Sequence, residues 1–255
     1  MSIQELFSLQ GKTALVTGGG RGIGKTITAA YCEASARVMI CGRREEYLAP
    51  TVAELTQRGF DVRSLVADLS KPEDVQRTVS AALDAFGQLD LLVNNAGQTW
   101  GQPTEEYPLA KWQQILDVNL TAMFLLSQAI GKHMIARGQG GRILNIASVA
   151  GIRSGQGANT IAYNTSKAGV IAFTRTLARD WGRHGILVNA IAPGWFPTRM
   201  AAATIHAHEQ EIIQATALGR LGKLDDLKGA AIFFASPASS YITGQTLVID
   251  GGSSL

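Results

Sequence analysis

A tyrosine and a lysine four positions apart are the residues of this sequence best suited to moving a proton. Tyr163 and Lys167 share one face of the chain if the segment 162–168 is helical, because positions i and i+4 lie about one turn apart. A free phenol has a pKa of about 10 and exchanges protons poorly at neutral pH. A neighbouring ammonium group is expected to lower that pKa, which would let Tyr163 act as a general acid or base. The pair alone is common on solvated helices.

A serine follows a run of apolar residues that predicts a β-strand. Ser148 comes directly after the segment 143–147, which reads Ile-Leu-Asn-Ile-Ala. In open parallel sheets, ligands bind outside the carboxyl ends of the strands. The Ser148 hydroxyl is therefore expected to hydrogen-bond a substrate oxygen near the tyrosine.

A glycine-rich loop lies between a predicted strand and a predicted helix. Residues 17–24 read Thr-Gly-Gly-Gly-Arg-Gly-Ile-Gly, and the helix-like stretch continues to about Ala34. Glycines let the chain turn tightly and let a pyrophosphate approach the backbone, while the free N–H groups of the helix attract an anion. The pattern predicts a nucleotide site, although a glycine run alone could be only a flexible turn.

The end of the second predicted strand indicates which nucleotide binds. NAD-binding folds place an acidic residue here to accept a hydrogen bond from the ribose 2′-hydroxyl. This sequence has Arg43 and Arg44 instead, with no acid before Glu45, and Arg21 lies in the glycine loop. Guanidinium groups bind a 2′-phosphate, so NADP(H) is predicted rather than NAD(H). The alternative is that Arg43 and Arg44 merely begin a solvated helix.

The elements that would position these residues alternate between strand-like and helix-like segments. Continuous Val, Ile and Leu runs favour strands covered on both faces, and their alternation with helices predicts a doubly wound parallel sheet. We therefore expect an α/β Rossmann fold with seven strands in a single domain over residues 1–255, with a helical substrate lid around 195–226. The predicted strands are Lys12–Thr17, Arg37–Cys41, Val62–Ala67, Leu89–Val93, Arg142–Ala147, Ile186–Ile191 and Thr246–Ile249.

Composition excludes several classes of protein. The net charge is +3 and the 23 Lys and Arg residues are scattered, so no nucleic-acid surface is expected. No segment approaches the roughly 20 apolar residues of a membrane span. Cys32 and Cys41 are too few for a disulfide framework, and no metal site is predicted from the cysteines or the four histidines. A cytoplasmic location is expected.

Taken together, these motifs resemble the short-chain dehydrogenase/reductase family over essentially the whole chain. On the cofactor side the family's motifs match Thr17–Gly24, Asp68, the Asn-Asn-Ala-Gly of 94–97, and Pro193-Gly194 with Thr198. Its catalytic tetrad matches four residues in order, namely Asn119, Ser148, Tyr163 and Lys167.

The resemblance implies roles that spacing alone does not show. Lys167 would also hold the nicotinamide ribose, Asn119 would keep a water in a proton relay ending at Lys167, and Thr198 would bind the carboxamide. The alternatives are local bonding within a helix for Asn119 and a helix cap before Pro72 for Asp68. The complete set of predicted cofactor contacts is Gly18, Arg21, Gly22, Ile23, Gly24, Arg43, Arg44, Asp68, Leu69, Asn95, Ala96, Gly97, Tyr163, Lys167, Pro193, Gly194 and Thr198.

The family resemblance implies an NADP(H)-dependent oxidoreductase that transfers a hydride between nicotinamide and a carbonyl or secondary alcohol of a small substrate. Similarity is divided between 3-oxoacyl-thioester reductases and sugar-acid dehydrogenases of the gluconate 5-dehydrogenase type. The stretch 149–162 is longer than in typical thioester reductases and would place an insertion, Ser154–Thr160, at the substrate mouth. Trp195 and Phe196 are expected to line the pocket. A carrier-bound substrate would favour basic residues there, for which the candidates are Arg137, Arg179 and Arg183.

A protein of another class, a nucleotide sensor or scaffold that kept the fold and lost catalysis, is the alternative function. Fold alone does not separate the two. A sensor is free to lose Tyr163, so the intact set of four residues favours an enzyme.

A homotetramer with two-fold symmetry is the expected assembly. Apolar residues exceed what packing against one sheet requires in the predicted helix from about Thr104 to Met134 and in the helix carrying Tyr163. In the family these two helices form the main subunit interface. The segment Tyr241–Gly252 predicts a final edge strand that needs a second cover. The alternative is that both faces are covered within one chain. The apolar residues concerned are Leu116, Leu120, Phe124, Leu125, Val170, Ile171 and Phe173.

Overall fold

Seven parallel strands form one sheet in the computed structural model, which describes residues 1–153 and 159–255. The strand order is β3-β2-β1-β4-β5-β6-β7, and all neighbouring pairs are parallel. The strands are β1 (Thr13–Thr17), β2 (Arg37–Gly42), β3 (Val62–Val66), β4 (Leu91–Asn94), β5 (Gly141–Ile146), β6 (Ile186–Pro193) and β7 (Thr246–Ile249). Each predicted run of apolar residues overlaps one of them, with ends that differ by up to two residues, and the predicted fold class is confirmed.

Helices connect the strands and cover both faces of the sheet. In the described part of the chain they are α1 (Ile3–Leu6), α2 (Gly22–Glu33), α3 (Glu45–Gln57), α4 (Pro72–Phe86), α5 (Leu109–Leu116), α6 (Ala122–Arg137), α7 (Ile161–Trp181), α8 (Ala202–Gln214) and α9 (Lys228–Ala235). Ala14 and Val16 face an apolar layer built by α2, α3 and α9, whereas Leu15 faces a layer built by α4, α6 and α7. Burial on both faces explains why the strands are continuously apolar rather than alternating.

The order of the strands places a crevice at one edge of the sheet. Strand β1 lies between β2 and β4, so the chain winds away from β1 in opposite directions on its two sides. Open α/β sheets bind ligands at such a switch point, beyond the carboxyl ends of the strands. The loops after β1, β2, β4, β5 and β6 all meet there.

The predicted helix from Thr104 to Met134 is wrong as a single element. A 3₁₀ turn at Thr104–Glu106 comes first, and α5 begins only after Pro108. Between α5 and α6 the chain forms a π-helical turn, Asp117–Thr121, which contains the buried Asn119. Such turns insert an extra residue and are frequent at functional sites.

The stretch between β6 and β7 is only partly helical. Helix α8 and a 3₁₀ turn at Leu224–Leu227 are its regular elements before α9. The segment 194–201 that leads into α8 is not helical, and it contains Pro197. The predicted edge strand at the chain end is limited to β7.

Residues 154–158, which make up most of the predicted mouth insertion, lie outside the described residues. Across residues 1–153 and 159–255, no helix is both long and apolar enough to span a bilayer. The same ranges contain no cluster of three or more His, Cys, Asp or Glu side chains that could hold a metal ion.

Candidate active site

A cleft of about 580 Å³ occupies the carboxyl edge of the sheet. All residues predicted to contact the cofactor line it, from Gly18 in the glycine loop to Thr198 after β6. Ser148, Tyr163 and Lys167 line it as well. The fold therefore brings the nucleotide motifs and the proton-transfer pair into one continuous cavity.

The glycine loop is held against the loop that follows β4. Gly18 has a φ of +66°, and a Cβ on Gly24 would lie 2.2 Å from the Gly18 carbonyl oxygen, so neither position accepts a side chain without a shift of the backbone. Asn95 Nδ2 donates to the Thr17 carbonyl at 2.8 Å, and the Thr17 hydroxyl accepts from the Asn95 and Ala96 N–H groups at 2.9 Å. The Asn95 side chain thus positions the loop while lining the cleft.

Helix α2 begins within the glycine-rich segment 17–24, at Gly22, with Arg21 as its N-cap residue. The Arg21 side chain does not cap the helix. The first N–H groups of a helix have no partner within it and carry the positive end of the helix dipole. Because Gly22, Ile23 and Gly24 line the cleft, these groups form a ready site for a phosphate.

Arginine side chains gather around Tyr47 at one end of the cleft. The Arg21 guanidinium lies 4.5 Å from the centre of the Tyr47 ring and that of Arg44 lies 5.9 Å away. Arg44 also pairs with Glu46 at 3.2 Å, whereas exposed Arg43 forms no ion pair with any described residue. Helix α3 begins one residue after Arg44, so these arginines both precede a helix and line the cleft.

Asp68 lines the same end of the cleft but does not cap a helix. Its Oδ1 accepts from the Ser70 hydroxyl at 2.8 Å and from the Ser70 N–H at 3.1 Å. Helix α4 has Lys71 as its N-cap, so the capping alternative for Asp68 is wrong. Asp68 therefore lines the cleft without serving as a helix cap.

The proton-transfer residues meet at the other end of the cleft. Ser148 follows β5 and caps a 3₁₀ turn, where its Oγ accepts from the Ala150 N–H at 3.2 Å. Tyr163 and Lys167 lie one turn apart on α7, as their spacing predicts. Lys167 Nζ donates to the Ile146 carbonyl at 2.6 Å and lies 5.7 Å from the centre of the Tyr163 ring.

The electrostatics of this pair differ from the expectation. Burial raises the pKa of Tyr163, and the Ser148 hydroxyl offsets this only in part. Burial lowers the pKa of Lys167 to about 8. The prediction that the ammonium group lowers the phenol pKa is wrong, because desolvation by burial dominates and raises the pKa. The phenol stays protonated at neutral pH and is ready to donate a proton.

Asn119 lies behind the cleft rather than in its lining. Its Oδ1 accepts from the Gln98 N–H at 2.8 Å, and its Nδ2 donates to the Gln98 carbonyl at 3.0 Å and to Ser166 Oγ at 2.9 Å. These partners are 21 and 47 positions away, so the alternative of local bonding within a helix is wrong. The side chain ties the loop after β4 to α7 beside the pair.

Two of the basic residues expected at the substrate mouth lie at the opposite edge of the sheet. Arg137 pairs with Asp90 at 2.9 Å, and Asp90 directly precedes β4. Arg183 lies beside Gly185 at the amino end of β6. Arg179 is exposed and does not line the cleft. These predictions are wrong because spacing along a helix does not reveal which end of the sheet a residue reaches.

Other residues complete the lining. Trp195 and Phe196 line the cleft as expected, and Phe196 is buried. Sequence reasoning missed Tyr47, Arg153 and Arg199, which also line it. Tyr47 follows the Arg43-Arg44 pair by one helical turn, a spacing that could have indicated it.

Comparison with known proteins gives consistent matches over almost the entire chain. The family profile described as Enoyl-(Acyl carrier protein) reductase matches residues 18–254. The chain is 37% identical over 254 residues to gluconate 5-dehydrogenase of Gluconobacter oxydans, covering 99% of this chain and 98% of that protein. It is 39% identical to the rhamnolipids biosynthesis 3-oxoacyl-[acyl-carrier-protein] reductase of Pseudomonas aeruginosa, covering 96% of this chain and 97% of that one.

A solved structure gives the same result. The structure of a gluconate 5-dehydrogenase from Burkholderia cenocepacia, in complex with NADP and tartrate, superimposes with a TM-score of 0.93 at 37% identity. The match covers 99% of this chain and 98% of that one. The similarity therefore extends over the strands, the cleft and the segments that line it.

Proposed function

The chain belongs to the short-chain dehydrogenase/reductase family, and from this premise we propose that it is an NADP(H)-dependent oxidoreductase acting on a small hydroxy or keto acid. It transfers a hydride between nicotinamide and a carbonyl or secondary alcohol. The observation that carries the proposal is the single cleft, with a phosphate-binding loop and arginines at one end and Ser148, Tyr163 and Lys167 at the other.

The residues of the cleft fit NADP(H). Gly24 lies close to Gly18, and neither residue has a side chain that would fill the space a pyrophosphate needs. Helix α2 offers free N–H groups to that pyrophosphate. Arg21 and Arg43 would supply cations for the 2′-phosphate, and Asp68 would hold the adenine end. Thr198 would bind the carboxamide end. When bound, the reduced cofactor supplies the hydride.

Side chains of the protein transfer the proton that accompanies the hydride. In the direction of reduction, Tyr163 donates its phenolic proton to the carbonyl oxygen that becomes the alcohol. The Ser148 hydroxyl hydrogen-bonds that oxygen and fixes its distance from the phenol. Lys167 would hold the cofactor ribose, and its ammonium group would stabilise the phenolate once the proton has left. Asn119 holds α7 against the loop that contains Gln98. The proton that Tyr163 gives up is replaced from between these two elements.

The arginines predict the choice of cofactor. The protein is expected to bind NADPH more tightly than NADH by about 1–3 kcal/mol, the range of charge-assisted hydrogen bonds. Replacing Arg43 with Asp should reverse the preference, because a carboxylate repels the phosphate and accepts from a ribose hydroxyl. Fluorescence titration of both cofactors measures this, with Arg183→Asp at the opposite edge as the control. Tighter NADH binding by the unaltered protein would contradict the assignment.

The charge of the substrate end favours a sugar acid over a 3-oxoacyl thioester. Arg153 lines this end and forms no ion pair with any described residue, and positions 154–158 contain no acid. Asp68, at the far end, is the one acidic residue in the described lining. Asn164 and Thr160 add polar groups that suit hydroxyls. An unpaired guanidinium in such a place is suited to a substrate carboxylate.

An assay that pairs NADPH with 5-ketogluconate and, separately, with an acetoacetyl thioester tests the substrate class. We expect faster turnover of the sugar acid. Arg153→Met should raise the KM for the acid about 10-fold or more and leave the KM for a neutral ketone unchanged. Preference for the thioester, with no effect of Arg153→Met on either substrate, would assign the enzyme to the carrier-linked class instead.

We also propose that the enzyme is a homotetramer. Apolar side chains remain exposed on α5 and α6, at Leu109 and Phe124, and on the edge strand β7, at Leu247 and Val248. The two patches lie on different faces, and two distinct two-fold contacts generate a tetramer.

Light scattering at micromolar concentration should therefore give four times the chain mass of 27.1 kDa. Leu247→Glu should reduce the assembly to a dimer, because a charge on the edge strand cannot be buried without a partner. Ile3→Glu, at another exposed apolar residue, is the control. A monomeric mass for the unaltered protein would refute both interfaces.

The two cysteines are compatible with the proposed cytoplasmic location. Cys32 and Cys41 are free and buried, and burial raises the pKa of each thiol to about 12. Thiols of this kind stay protonated and react slowly.

A further inference from the structure

Arg199 connects two walls of the cleft that are far apart in sequence. It directly follows Thr198, whose methyl group lies 3.5 Å from the position that a Cβ on Gly22 would occupy. From there the Arg199 side chain reaches α3, where its Nη1 donates to the Tyr47 hydroxyl. The guanidinium also lies 5.7 Å from the centre of the Tyr47 ring. The segment 195–201 is thereby fastened across the glycine loop.

The contact adds a cation to a group that is already positive. Arg21, Arg44 and Arg199 all approach the same ring within 6 Å, at 4.5, 5.9 and 5.7 Å. The carboxylate of Glu46 pairs with Arg44 and also lies close enough to interact with Arg199, so one carboxylate serves three guanidinium groups. Like charges gathered at one site repel unless an anion lies between them. The excess positive charge of this group would be offset by an anion such as a phosphate.

We propose that Arg199 binds the cofactor's 2′-phosphate together with Arg21, and that this bond draws the segment 195–201 over the bound cofactor. The inference rests on the proposed function, since the anion it assigns is the 2′-phosphate of NADP(H). Part of the selectivity for NADP(H) is thereby assigned to the segment 195–201, which also lines the substrate pocket.

The segment 195–201 also carries side chains that would contact the substrate. Trp195, Phe196 and Met200 line the cleft on either side of Thr198 and Arg199. A phosphate that holds Arg199 in place also holds these side chains against the substrate. The 2′-phosphate and the substrate should therefore bind cooperatively, although they occupy opposite ends of the cleft.

Binding of two cofactor fragments tests the direct contact without any turnover. Calorimetry on the full chain would compare adenosine 2′,5′-bisphosphate with 5′-AMP, which lacks the 2′-phosphate. Arg199→Met should weaken the bisphosphate about 10-fold or more and leave 5′-AMP unchanged. Arg220→Met, in the same part of the chain but away from the cleft, should change neither.

The Tyr47 hydroxyl provides an internal check. Tyr47→Phe keeps the ring and removes the acceptor for Arg199, so it should weaken the bisphosphate less than Arg199→Met does. In the Tyr47→Phe background, Arg199→Met should cause a smaller further loss than in the unaltered protein, because the two residues act as a unit. Equal losses for both fragments would show that Arg199 only supports the fold and would overturn the proposal, as would unchanged binding of both.

Kinetics test the cooperativity. In the unaltered enzyme the KM for the keto acid should be lower with saturating NADPH than with saturating NADH, and Arg199→Met should abolish that difference. A difference that survives the substitution would refute the coupling. Failure of the proposed function is distinguishable, since absent turnover would leave the fragment results intact.

Discussion

Tyr163→Phe is expected to lower kcat by about 10²- to 10⁴-fold while the affinity for NADPH stays nearly unchanged. The phenol lies beside the Ser148 hydroxyl, and phenylalanine keeps the ring but removes the proton. Burial raises the pKa of Tyr163, so the unaltered residue is fully protonated at neutral pH. Loss of NADPH absorbance with a keto acid measures turnover, and quenching of intrinsic fluorescence measures binding.

Tyr107→Phe is the matched control for this experiment. The Tyr107 hydroxyl donates to the Trp100 carbonyl at 3.1 Å, and the residue does not line the cleft. The control should therefore retain most of the activity. Equal rates for the unaltered enzyme and Tyr163→Phe would remove the phenol from the mechanism.

Lys167→Met is expected to abolish most of the activity and yet stabilise the cofactor-free protein at pH 7. The pKa of Lys167 is about 8 in the folded chain, against the ordinary 10.5. Below pH 8 the residue is charged in both folded and unfolded states, and the folded state bears the full cost of burying that charge. A shift of this size corresponds to about 3 kcal/mol, from which the lost hydrogen bond to the Ile146 carbonyl subtracts about 1.

The pH dependence distinguishes this effect from a simple change in packing. Between the folded pKa and the unfolded pKa, the unfolded state binds more protons, so the stability of the unaltered protein rises with pH across that window. The advantage of Lys167→Met in the free energy of unfolding should therefore be largest at pH 7 and shrink as the pH approaches 10.5. Urea denaturation at several pH values, at one protein concentration, measures it.

Lys132→Met, at an exposed position of α6, supplies the control, since its side chain is solvated. It should change the free energy of unfolding little at any pH. A destabilised Lys167→Met protein at pH 7 would show that the buried ammonium is held by contacts stronger than its bond to Ile146.

The sheet and the nucleotide loop were predictable because their physics is local. A strand buried on both faces must be continuously apolar, and Ala14 to Val16 show this. The glycine loop was predictable because Gly18 adopts a positive φ and Gly24 leaves no room for a side chain. Both requirements restrict the residue type at known spacing.

Features that depend on tertiary distance were not predictable. Arg199 and Tyr47 are 152 positions apart, and nothing in the spacing indicates that they meet. The direction of the Tyr163 pKa shift depends on how deeply the phenol is buried, which the i, i+4 pattern does not report. The π-helical turn around Asn119 could not be predicted either. The buried Asn119 side chain bonds to Gln98 and Ser166, which lie on other elements of the fold.

Transfer of a labelled hydride tests the central claim most directly. The protein would be incubated with NADPH carrying deuterium on the nicotinamide C4 and with 5-ketogluconate, and the product would be examined by mass spectrometry and NMR. We predict one deuterium on the carbon of the new secondary alcohol, and at least about 100-fold less labelled product when Tyr163→Phe replaces the unaltered protein over the same time. Tight binding of the labelled cofactor, with no deuterium transferred to this keto acid or to any of a panel of activated ketones and acyl thioesters, would contradict the account and identify a nucleotide-binding protein without catalysis.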